Sequence, residues 1–101
     1  MGKINEKLDD AINRDDLDEV KALVSKGADI ECVDAFGCTP LMNAAWVASE
    51  EIVGFLLGLG ADYSHQDNDG KTALDRVLEI GHNRYGHDPI IEILKNIKHK
   101  H

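Results

Sequence analysis

The sequence holds only two cysteines, Cys32 and Cys38, too few for the disulfide framework that supports small secreted domains. A reducing, cytoplasmic setting is the expectation. Its apolar runs reach only four to six residues, whereas a bilayer span needs roughly 18 to 20. The opening Met1-Gly2-Lys3-Ile4-Asn5-Glu6-Lys7 also lacks the apolar core of a secretory signal, so neither a membrane span nor export is expected. Positive charge is scarce: 11 Lys and Arg stand against 19 Asp and Glu, a net charge of -8 that repels nucleic acid and anionic membranes. With 2 prolines and 9 glycines beside 43% apolar residues, disorder and collagen-like order are excluded. The 101 residues amount to a single folded domain.

What is present is repetition. At an offset of 33, Gly27-Ala28-Asp29 recurs as Gly60-Ala61-Asp62. Gly37, Thr39 and Leu41 recur as Gly70, Thr72 and Leu74, and Val20 and Leu23 recur as Val53 and Leu56. A period of this length implies stacked units, each leaving an apolar face that only its neighbour can cover.

The middle unit shows the pattern most fully. Asp34-Ala35-Phe36-Gly37 reads as a turn. Thr39 then caps a short helix with Pro40 at its first position, where the missing N–H costs nothing. Leu41, Ala44 and Ala45 form one helical stripe; Ser49 caps a second helix, which buries Ile52, Val53, Leu56 and Leu57 and ends before Gly60.

Thr39-Pro40-Leu41-Met42-Asn43-Ala44-Ala45 and Gly60-Ala61-Asp62, with the period of 33, resemble the ankyrin repeat signature. The resemblance implies an all-α solenoid of helix-turn-helix units joined by short β-hairpin turns. Residues 1–33 then form an N-terminal capping repeat, 34–66 a full repeat, and 67–101 a C-terminal repeat with a loop insertion at 83–89. The first unit lacks the turn and the Thr-Pro-Leu opening, and buries Ile4, Leu8, Ala11 and Ile12 on one stripe and Leu17, Val20, Leu23 and Val24 on the next. Met42 and Asp75 stand where the family favours a histidine that ties neighbouring turns, which predicts weaker coupling between units. Ile52-Val53 and Ile90-Ile91 are 38 apart rather than 33, and Asp88-Pro89 is suited to open a last helix over Ile90 to Ile97.

Signatures of chemistry are missing. No nucleophile triad, catalytic carboxylate pair or phosphate loop is recognisable, so the chain is not expected to be an enzyme or to need a cofactor. His82 and His87 in the insertion and His99 and His101 in a Lys-rich tail are not fixed at ligand spacing, so no metal site is expected. A disulfide between Cys32 and Cys38 across the turn is conceivable, but two reduced thiols fit the reducing setting better.

By resemblance, the turn tips and first helices form the face that holds a partner protein. Those positions fall on Ala35, Phe36, Cys38, Trp46 and Val47 in the middle unit. In the last they fall on Gln66, Asn68, Asp69, Lys71, Glu79 and Ile80. Phe36 and Trp46 are the expected anchors, since a large aromatic at the edge of a buried stripe stays partly wet until something covers it. All the excess negative charge lies in residues 1–66, which favours a basic partner surface. A monomeric protein-binding module is the expectation, with an inhibitor or immunity-type protein that occludes a basic enzyme or toxin as the alternative.

Overall fold

The computed structural model describes residues 2–80 and 88–98, which hold six helices: α1 (Gly2–Asn13), α2 (Leu17–Ser25), α3 (Pro40–Trp46), α4 (Glu50–Gly58), α5 (Ala73–Ile80) and α6 (Asp88–Lys98). Helices pair in chain order, α1 with α2, α3 with α4 and α5 with α6. The pairs then stack. α3 packs against both α1 and α5, while α4 packs against α2 and α6, so first helices form one layer and second helices the other. Extents of 34 × 28 × 26 Å suit three pairs stacked at the usual helix spacing of about 8 to 10 Å.

The repeating stripes become the core. Leu8, Ala11 and Ile12 of α1, Leu41, Ala44 and Ala45 of α3, and Ala73, Leu74 and Val77 of α5 are buried between layers. Val20 and Leu23, Ile52, Val53 and Leu56, and Ile90, Ile91 and Leu94 complete it from the second helices. Ile4, Leu17, Val24 and Leu57, expected inside, are only half-buried and pack against this core from its margin. Each fully buried Leu or Ile contributes about 1.5 to 3 kcal/mol through removal of its surface from water.

Capping fixes where the helices begin. Thr39 accepts the Met42 amide at 3.4 Å with Pro40 at the first helical position, and Ser49 accepts the Ile52 amide at 3.3 Å. At α5 the exchange is reciprocal: Thr72 Oγ1 accepts the Asp75 amide at 3.2 Å and Asp75 Oδ2 accepts the Thr72 amide at 3.0 Å. α6 begins at Asp88, two residues before the expected start, because Pro89 fits in a first helical turn. α1 and α3 end alike. Asp15 and Ala48, 33 residues apart, both take positive φ, 55° and 63°, and Ser49 N donates to Ala44 O as Asp16 N does to Ala11 O.

The hairpins differ from expectation. Among the described residues there is no strand, and each turn is a closed loop with arms too short for a ladder. Asp34 N donates to Cys38 O at 3.0 Å, and Asp67 N to Lys71 O at 2.9 Å. The rest of the insertion, at 83–87, lies outside the described residues, as do His82, His87, His99 and His101.

Candidate functional site

The two turns are built around a carboxylate, Asp34 in one and Asp67 in the other, again 33 residues apart. Asp34 Oδ1 accepts the amides of Phe36 and Cys38 at 2.9 and 3.0 Å; Asp67 Oδ1 accepts those of Asp69 and Lys71 at 2.9 and 3.1 Å. Each turn is thus wound about one oxygen, which thrusts the residue at its tip outward. The second oxygen faces the first helix. Asp67 Oδ2 accepts Arg76 Nε at 2.7 Å, whereas Asp34 Oδ2 has the Asn43 side-chain amide at 3.5 Å, the long edge of hydrogen bonding.

Neighbouring turns are stitched together. Asn68 donates its backbone amide to Phe36 O at 3.0 Å and its side-chain amide to Ala35 O at 3.1 Å, and a His65 ring nitrogen lies 3.0 Å from Gly37 O. These contacts join the turns although Met42 and Asp75 replace the family's histidine. Further back, Asn5 Oδ1 of α1 accepts the Asp29 amide at 2.9 Å, and Glu31 Oε2, just after the first Gly-Ala-Asp corner, accepts the Asp62 amide of the second at 2.9 Å.

Where turns and first helices meet, a shallow groove of about 420 Å³ opens. The turns supply Asp34, Phe36, Cys38, Asn68 and Asp69; α3 supplies Met42, Asn43 and Trp46, and α5 supplies Arg76. Phe36 is 74% exposed and Trp46 56%, while Met42 beneath them is only 4% exposed. Five of the expected contact residues therefore share one concavity: Phe36, Cys38, Trp46, Asn68 and Asp69.

The remaining expected positions lie elsewhere. Ala35 and Gln66 are exposed beside the groove, and Val47 is half-buried against the core, as Cys38 also is in part. Lys71 and Glu79 form an ion pair and line a separate depression with Asp75 and Leu78. Ile80 ends α5, and its side chain lies outside the described set. Residue-type reasoning passed over Asp34, Met42, Asn43 and Arg76. The offset of 33 equates Asp34 with Asp67 and Asn43 with Arg76, which marks a recurring turn-to-helix contact but does not by itself place these residues at a groove.

Electrostatics of the groove are dominated by carboxylates. Burial pushes the Asp67 carboxyl up, but the Lys71 amide, the Arg76 guanidinium and the Asp69 amide outweigh it, so it ends below its ordinary value. Arg76 reaches Asp69 at 2.9 Å and Glu79 at 3.6 Å as well, so its charge is shared by three acids. Asp9 on α1 is pushed up, first by burial and then by Asp34. Cys32 and Cys38 are free thiols. Burial raises Cys32 to about 11 with help from Asp9, Asp29 and Asp34; Cys38 rises through burial and then Asp34, Asp67 and Asp69. Among the described residues no group of three His, Cys, Asp or Glu is placed to hold a metal, and no helix is long and apolar enough to cross a membrane.

Comparison with known proteins agrees with this architecture. The family model described as ankyrin repeats in three copies matches residues 8–100. An ankyrin repeat protein of Acanthamoeba polyphaga mimivirus is 45% identical over 62 residues, which cover 61% of this chain and 8% of the relative. The mouse ankyrin repeat, SAM and basic leucine zipper domain-containing protein 1 is 41% identical over 70 residues, covering 69% and 14%. Mouse 2-5A-dependent ribonuclease is 40% identical over 63 residues, covering 61% and 9%. The chain thus matches only a small part of each of these relatives.

Proposed function

Because the chain belongs to the ankyrin repeat family, we propose that it is a non-catalytic module that holds another protein on the face made by its turns and first helices. Ankyrin repeats are in general protein-interaction modules. The observation that supports this face is the exposure of Phe36 and Trp46 over one groove. Large aromatics left wet beside a buried floor gain by being covered, and such residues commonly carry most of an interface's energy. Flanking contacts come from Ala35, Gln66, Asn68 and Asp69, with Lys71 and Glu79 at the edge. The module acts as a monomer in a reducing compartment, and the net charge of -8 favours a partner with a basic surface.

Affinity capture from the native cell tests this, comparing the unaltered chain with a Phe36→Ala, Trp46→Ala double variant. The partner should be recovered by the first and lost with the second, while the melting temperature stays within a few degrees. Retention of the partner by the double variant, or a collapse in its melting temperature, sinks the assignment. The acidic excess also supports a second reading, an antidote that occludes a basic enzyme. That reading requires the recovered partner to be an enzyme whose activity falls on binding.

A further inference from the structure

Resting on that docking reading, we infer that the groove takes a partner segment in which one bulky apolar side chain is flanked by lysines or arginines. The apolar side chain sits over Met42 against Phe36 and Trp46, and the cations face Asp34 on one side and Asp69 on the other.

Two features select this chemistry together. The floor and walls are apolar: Met42 is nearly sealed, Cys38 is half-buried, and both aromatic rings remain largely in water. An apolar side chain placed there removes surface from water on both partners. The rim, however, carries more negative charge than positive, since Arg76 is shared between Asp69 and Asp67 and leaves Asp34 over. Residues 34–66 contain no lysine or arginine, and among the described residues no lysine or arginine is salt-bridged to Asp9 or Asp34. Among the described residues the one cation lining the groove, Arg76, is already engaged by Asp67, Asp69 and Glu79.

Asp34 holds two turn amides with one oxygen and only a distant Asn43 amide with the other. The Asp69 side chain is 71% exposed. A purely apolar segment would cover these acids without compensating them, and an acidic one would add to the repulsion. A cation on each side of the apolar anchor relieves both.

The test is selection of a display library of random nine-residue peptides on the immobilised full chain. Affinities follow from emission of Trp46, the sole tryptophan. The enriched consensus should hold a central Leu, Ile, Met or Phe with Lys or Arg on both sides. Phe36→Ala should weaken it about ten-fold or more. Asp69→Asn, an exposed change that leaves the turn carboxylate in place, should weaken it less and flatten its salt dependence. An acidic or uncharged consensus that still needs Phe36 overturns the partner chemistry but leaves the groove as the docking site. Peptides indifferent to Phe36→Ala, or no enrichment by a chain with native circular dichroism, overturn both.

Discussion

Replacing Gly37 by alanine should damage this protein more than the same change at Gly70, although the two glycines occupy equivalent places 33 residues apart. Both take the left-handed conformation, φ 79° and 78°. An L-residue forced there costs about 1 to 2 kcal/mol. At Gly70 a new Cβ meets nothing within 4 Å; at Gly37 it would lie 2.8 Å from the Asn68 backbone nitrogen and closer still to that residue's side-chain oxygen. Asn68 must then withdraw, giving up its bonds to Phe36 O and Ala35 O. Partly exposed hydrogen bonds of this kind are worth about 0.5 to 1.5 kcal/mol each. Gly70→Ala should therefore cost about 1 to 2 kcal/mol and Gly37→Ala about 2 to 5 kcal/mol. Any loss of unfolded-chain entropy is common to both and cancels in the difference. Urea unfolding at 25 °C, followed by circular dichroism, measures the pair. For a domain of this size each kcal/mol also lowers the melting temperature by roughly 4 to 8 °C. Equal costs at the two positions would refute the claim that Asn68 couples the turns.

Ala48 sits at φ 63° after α3, so Ala48→Gly should stabilise the fold by about 0.5 to 1 kcal/mol in the same assay. Asp15→Gly, at the matching position, should show no such gain, because the Asp15 carboxylate accepts the hydroxyl of buried Ser49. Asp67, held below the ordinary 3.8, contributes stability that is present above that value and lost as pH falls through its lower folded value. The stability difference between the unaltered chain and Asp67→Asn should hence be constant near neutrality and shrink on acidification below about pH 4; a difference that does not shrink contradicts the assignment. Cys32, raised to about 11, should react with iodoacetamide at pH 8 roughly a hundred-fold more slowly in the folded chain than in urea. Equal rates would show that the thiol is neither buried nor crowded by acids.

Much of the architecture was legible in the sequence because it is written locally and then written again. Thr39-Pro40 and Ser49 announce helix starts through bonds within one turn of chain, and the stripes of α3 and α4 follow from helical periodicity alone. An offset of 33 brought these local signals into phase, and that phase requires stacking, since a lone pair of short helices cannot cover its own apolar side. Phe36 and Trp46 could be nominated from type and position for the same reason. Whether they pack inward was a matter of tens of square ångströms of neighbouring surface, which no local signal carries.

The tertiary structure alone decided how two units meet. Met42 looked like a missing histidine and is the groove's floor; Asn68 looked like an exposed tip and is the clasp holding the preceding turn. Arg76, unremarkable in a helical pattern, gathers Asp67, Asp69 and Glu79, and among the described residues no lysine or arginine is salt-bridged to Asp34. Val47 and Cys38, nominated for the surface, spend part of theirs on the core. For Asn68 and Arg76 the deciding contacts join a turn to the preceding turn or to a helix. Helix formation is a property of a dozen consecutive residues, but a groove is the space left between units, and its charge and depth exist only once they are stacked.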